Sequence, residues 1–152
     1  MTRSLVLSAA AALLASCSPG APEIDVSGGW ARATVAGQST GAAYLTIHNA
    51  GAADDRLLSA STTVAPETSL HTSTNENGVA RMRPLADGLP IPAGETVKLE
   101  PGGHHLMLTG LRQPLAAGQS IELSLRFERS GERKLPLRIA EGAAGGLERM
   151  DH

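Results

Sequence analysis

The chain has 152 residues, of which 41% are hydrophobic, 18% charged and only 2% aromatic, with one Cys, four Met, five His, 17 Gly and 9 Pro. A length of this order fits one domain, and apolar residues are too frequent for a disordered chain. A formal net charge of −2 argues against a nucleic-acid partner or a polybasic membrane patch, the single Cys excludes an internal disulfide or a CxxC pair, and no apolar run is long enough to cross a bilayer as a helix.

The first segment has the pattern of an export signal. Arg3 supplies a positive start, and Leu5 to Leu14 is a short run of Leu, Val and Ala broken by Ser8. It ends in Leu14-Ala15-Ser16-Cys17, which resembles a bacterial lipobox. The resemblance implies cleavage after residue 16 and a thioether-linked lipid on Cys17, so that the protein is exported and held to a membrane by acyl chains without spanning it. Ser18, where Asp would signal inner-membrane retention, favours an outer-membrane anchor facing the periplasm. The expected organisation is a signal over 1–16, a lipid-anchored tether over 17–25, a globular domain over 26–140 and a Gly/Ala-rich tail over 141–152.

The domain consists of short apolar runs between turn signals. Gly41 to His48, Arg56 to Thr63, Thr68 to Thr72, Val79 to Arg83, Thr96 to Leu99 and His104 to Leu108 are strand candidates. Asn75-Glu76-Asn77-Gly78 and Pro101-Gly102-Gly103 mark tight turns. Ile121, Leu123, Leu125 and Phe127 alternate with Glu122, Ser124, Arg126 and Glu128, and Leu135, Leu137 and Ile139 repeat the period of two. No long helical period appears. Eight or nine half-buried antiparallel strands at this spacing predict an all-β sandwich or barrel, its core filled by Leu, Val, Ile and Ala because aromatics are scarce.

Four residues carry candidate chemistry. In His104-His105-Leu106-Met107-Leu108, alternation places His105 and Met107 on one face and Leu106 and Leu108 on the other. Met82 stands between Arg81 and Arg83, outside any obvious core run, and His71 follows Leu70 on an earlier strand. Each taken singly also fits an ordinary strand residue. Together, two imidazoles and two thioethers would form a soft set. Zinc favours imidazole, thiolate and carboxylate, whereas calcium and magnesium want oxygen. Thioether ligands select Cu(I), and unlike free thiols they do not form disulfides in an oxidising compartment. A blue-copper electron-transfer site would need a Cys ligand, and Cys17 is assigned to the terminus. Gly-x-Ser-x-Gly and His-Glu-x-x-His are missing, so an enzyme is not expected.

The chain resembles the periplasmic copper chaperone family PCuAC, copper chaperone A(C). Four stretches carry the likeness: Trp30-Ala31-Arg32-Ala33-Thr34, Gly41-Ala42-Ala43-Tyr44-Leu45, Met82-Arg83-Pro84 and Pro101 to Leu108. Ten residues separate His71 from Met82, as in the family motif, and twenty-two separate Met82 from His105, one more than the family's usual count. The resemblance implies a cupredoxin-like or immunoglobulin-like antiparallel β-sandwich and a Cu(I) site made by His71, Met82, His105 and Met107. It further implies delivery of copper toward the binuclear copper centre of a haem-copper oxidase, with an oxidase subunit or another copper chaperone as recipient. Copper storage or tolerance, or a structural role, is the alternative. Departures are Thr72 and Ala80, where members often carry spare Met, and His104, where an aromatic is common. His104 could compete with His105 under a strict spacing count. Met150 and His152 are possible auxiliary ligands, a thin version of the Met- and His-rich tails of the family. His48 has no matching ligand and is expected to be structural.

Overall fold

A computed structural model describes residues 20–142. Cys17, Met150 and His152 lie outside the described residues, as do the signal over 1–16 and most of the tail. Ten strands follow one another: β1 (Ile24–Arg32), β2 (Thr40–Asn49), β3 (Asp55–Thr62), β4 (Glu67–Glu76), β5 (Val79–Pro84), β6 (Leu89–Ile91), β7 (Thr96–Leu99), β8 (His104–Thr109), β9 (Ser120–Phe127) and β10 (Gly131–Ala140). Among the described residues there is no helix.

Eight or nine strands were expected and ten form among the described residues. β6 is the concealed one, because Pro90 looks like a breaker. Leu89 and Ile91 are buried and Pro90 between them is exposed on the last strand of the sheet, where a missing N–H costs no ladder bond. β1 also begins earlier than expected. Ile24 and Asp25, assigned by sequence to the tether over 17–25, are strand residues paired with Asn49 and His48, and Ile24 is buried. The apolar period of two simply starts at Ile24 rather than Val26.

The strands bond in the order β5-β4-β8-β7-β2-β1-β10-β9-β3-β6, and β8 also pairs with β2. One edge of β2 is shared: Thr40 to Ala43 pair with β8, and Leu45 to His48 pair with β7. The ladders are antiparallel except for β1 against β10 and the single β7–β8 bridge. The β1–β10 joint needs Gly29, since a Cβ there would come 2.9 Å from both Leu135 Cδ1 and the Pro136 carbonyl oxygen.

The inward faces meet in one Leu-rich core. Leu106 and Leu108 of β8, Ala43, Leu45 and Ile47 of β2, Leu123, Leu125 and Phe127 of β9, and Leu135, Leu137 and Ile139 of β10 all lie in it. Burying each of these larger side chains contributes about 1.5–3 kcal/mol before chain entropy is charged against it. This is an all-β sandwich, one of the two architectures that the alternation predicts, and of the cupredoxin/immunoglobulin-like kind that the resemblance implies.

Two buried polar residues pin the loops. Asn49, fully buried, accepts the N–H groups of Glu23 (3.1 Å) and Gly51 (3.0 Å) and donates to the carbonyls of Ala53 (2.8 Å) and Ile91 (3.1 Å), which uses all four of its positions. Asp55, also buried, accepts the N–H groups of Arg56 (2.7 Å), Arg129 (2.9 Å) and Ser130 (3.0 Å) and the Ser130 hydroxyl. Burial raises its pKa, but the hydroxyl and the three amides outweigh that and hold the carboxyl below its ordinary value.

Candidate metal site

Register decides which side chains share a face, because directly opposed residues point the same way. His71 of β4 stands opposite His105 of β8, and Ser69 opposite Met107. Met107 is flanked on its other side by Ala42 of β2. Ser73, two residues beyond His71, stands opposite Met82 of β5. The period of two therefore puts His71, Met82, His105 and Met107 on one face of the β5-β4-β8-β2 layer. Leu70, Leu106 and Leu108 take the other face, in the core. His104 goes with Leu106, opposite Thr72, and so stands across the sheet from the other four. Its Nδ1 is buried there without a partner.

The β7–β8 turn aims His105. Its Nδ1 lies 3.1 Å from the carbonyl oxygen of Gly103, which also accepts the Ser73 N–H at 2.9 Å. A carbonyl only accepts, so Nδ1 donates to it, and Nε2 is the ring nitrogen left to act as a ligand on the side of Met82. Met82 Sδ sits 3.0 Å from that nitrogen. A thioether sulfur and a bare imidazole nitrogen are both electron-pair donors. At this separation they call for a proton or a soft cation between them.

His71 completes the approach. Its ring stacks beside that of His105, with centroids 5.8 Å apart and planes 27° from parallel. Nε2 lies 3.0 Å from Ser69 Oγ, while Nδ1 is buried with no hydrogen-bond partner. Burial, then the neighbouring His105, lower the His71 pKa from its ordinary value, against an opposing pull from Glu67. A ring so held stays neutral at neutral pH, the form in which imidazole binds metal. The orphaned nitrogen and the facing sulfur–nitrogen pair fit a soft ion. Among the described residues no group of three His, Cys, Asp or Glu is placed to hold a metal, so the thioethers are needed to complete any site.

Met82, Met107 and His105 line one open depression together with Arg32, Tyr44 and Arg81. Trp30 packs on Tyr44 with ring centroids 4.6 Å apart. Met82 is 50% exposed on β5, while His105 is only 7% exposed. One donor therefore faces solvent and another is held from within. Ser69, the Gly103 carbonyl and the arginine rim were not singled out by sequence reasoning. Alternation from His71 points to Ser69, whereas a backbone carbonyl that orients a ring leaves no side-chain trace. His48, expected to be structural, has its Nδ1 2.9 Å from Thr96 Oγ1 away from this cluster.

Sandwich and site together define a small β-domain with a soft donor set on one sheet face. A family model described as "Putative lipoprotein LpqE-like" matches residues 24–139, and the chain belongs to that family. It is 39% identical over 104 residues to a "Putative lipoprotein Lxx21020" of Leifsonia xyli subsp. xyli, an alignment covering 68% of this chain and 61% of that relative. The chain thus spans about three-fifths of that protein's length. Among solved structures it is similar to the apo PCuAC domain from PmoF1, with TM-score 0.66, 24% identity and coverage of 78% of this chain and 94% of that one. It is also similar to the CuI-DR1885 solution structure from Deinococcus radiodurans, with TM-score 0.63, 27% identity and coverage of 87% and 85%.

Proposed function

We propose that this protein is an extracytoplasmic Cu(I) carrier whose cargo is held by His71, Met82, His105 and Met107, and that it is not an enzyme. The observation that carries the reading is the 3.0 Å approach of Met82 Sδ to the lone-pair nitrogen of a His105 fixed by Gly103. Support comes from the orphaned Nδ1 of His71 and from the likeness to DR1885, which is solved in a Cu(I) form. Imidazole and thioether are neutral ligands, so they hold a monovalent soft ion without trapping it, as a carrier requires. Delivery to the binuclear copper centre of a haem-copper oxidase is the proposed destination, resting on the PCuAC resemblance.

The lipid anchor is proposed on Cys17, supported by the lipobox pattern and by membership of a lipoprotein family. The Ala52 N–H already bonds the Ala21 carbonyl at 3.2 Å. Only three residues then lie between Cys17 and the bonded Ala21, a reach of at most ~14 Å over four Cα–Cα steps. An acylated protein would hold its domain close against the membrane. Metabolic labelling with a fatty acid checks this, since a Cys17→Ser variant should lose the label that wild type carries.

The copper reading is tested by titrating the protein with Cu(I) against a chromophoric chelator. One tight site per chain is expected, lost in both Met82→Ala and His105→Ala. A wild-type protein without a tight site would overturn the proposal.

A further inference from the structure

The depression around Met82, His105 and Met107 is lined by two arginines, Arg32 and Arg81, and by no carboxylate. That is an odd wall for a cation site, and odder on a chain of net charge −2. A fixed positive charge near Cu(I) opposes loading by Coulomb repulsion, so these side chains do not serve to hold the ion. Arg81 approaches Glu76 at 3.7 Å, but both side chains are more than three-fifths exposed. A contact of that kind holds little energy and leaves most of the guanidinium donors free. Arg32 has no ion-pair partner among the described residues.

The strand that carries Met82 is also the accessible one. All six residues of β5 are exposed, including Val79 at 55%. β5 ends the sheet, so its outer backbone edge is unpaired in the ladder. An exposed donor atom, a free strand edge and a rim of guanidinium groups thus coincide.

We infer that this Arg32–Arg81 rim is a docking surface for an acidic face of the copper-accepting protein. The inference rests on the copper-carrier reading and deepens it. The rim attracts carboxylates around the recipient's own soft ligands and brings those ligands to Met82, the exposed end of the site. Transfer is then ligand exchange. A sulfur or nitrogen donor of the recipient bonds to Cu(I) as the Met82 thioether leaves, followed by the remaining donors, and the metal stays Cu(I) throughout. Opposite charge on the two faces steers encounter and raises association rates by ~10–10³-fold at low ionic strength.

The test uses the full protein loaded with Cu(I) and two synthetic acceptor peptides bearing the same Met-and-His ligand pair, one flanked by glutamates and one by lysines. Copper loading is measured first by chelator competition, so a wild type that does not load counts against the carrier reading itself. With loaded wild type, the glutamate peptide is expected to take copper at least tenfold faster at low salt. That advantage should collapse near 1 M salt, where the screening length falls to ~3 Å. In an Arg32→Glu, Arg81→Glu variant the preference should reverse, and in the matching Gln variant it should vanish. Equal rates for the two peptides at low salt, or a glutamate preference that survives charge reversal, would overturn the inference. The salt dependence of wild type alone decides the matter if the variants do not fold.

Discussion

Met82 and His105 show how much can turn on two atoms. The Gly103 carbonyl fixes the ring, the ring offers Nε2, and the thioether meets it at 3.0 Å. Met82→Leu keeps volume and hydrophobicity and removes only the sulfur. Because Met82 is half exposed, the melting temperature should hardly move, while Cu(I) affinity in a chelator competition should fall at least about tenfold, or ~1.4 kcal/mol. Asp55 acts on stability instead. Its carboxyl pKa is lower folded than unfolded, so its stabilising contribution is fully present above roughly pH 4 and is lost as pH falls through the folded value. Asp55→Asn replaces an acceptor of amide N–H groups by a partial donor. The variant should lose about 2 kcal/mol at neutral pH in a denaturant melt and show a shallower loss of stability on acidification. Copper binding should be unchanged, since Asp55 bonds the β9–β10 turn rather than the site.

The element that matters most to the site is the β4–β5 hairpin. Asn77 and Gly78 both take positive φ, 54° and 80°, the two-residue turn that matches strand twist and that an Asn-Gly pair adopts most readily. The Asn75 side chain accepts the Gly78 N–H at 3.0 Å and closes it. Within the sheet β5 pairs with β4 alone, so the turn sets the register that puts Met82 opposite Ser73. Gly78→Val forces a β-branched residue into the left-handed region at a local cost of about 1–3 kcal/mol. The expected outcome is a weakened Cu(I) site in the titration with a nearly unchanged core in the near-ultraviolet circular dichroism. The sequence made this hairpin legible through Asn77-Gly78, and made β9 and β10 legible through strict alternation. It concealed β6, because a proline on an edge strand has the same local appearance as a turn. It gave His105 and Met107 a common face by counting alone. The approach of β4 and β5 to that face depends on long-range pairing, for which a local pattern holds no information.

At the scale of the molecule, site and core are separable because they occupy opposite faces of the same strands. Leu125 is fully buried in the layer opposite the donors. Leu125→Ala should cost about 2–5 kcal/mol in a thermal melt yet leave one Cu(I) per folded chain. The fold class was legible from turn spacing and period, since a sandwich needs little more than alternating strands of this length. The orientation of His105 by a backbone carbonyl and the Arg32–Arg81 rim were not, since both arise where distant segments meet. The central claim is that two imidazoles and two thioethers share one Cu(I). X-ray absorption at the copper edge of the Cu(I)-loaded protein tests it most directly. The account expects a Cu(I) edge and a first shell containing both sulfur and nitrogen, with the sulfur component reduced in Met82→Leu and in Met107→Leu. A first shell of nitrogen and oxygen alone, or one indifferent to both substitutions, would contradict it.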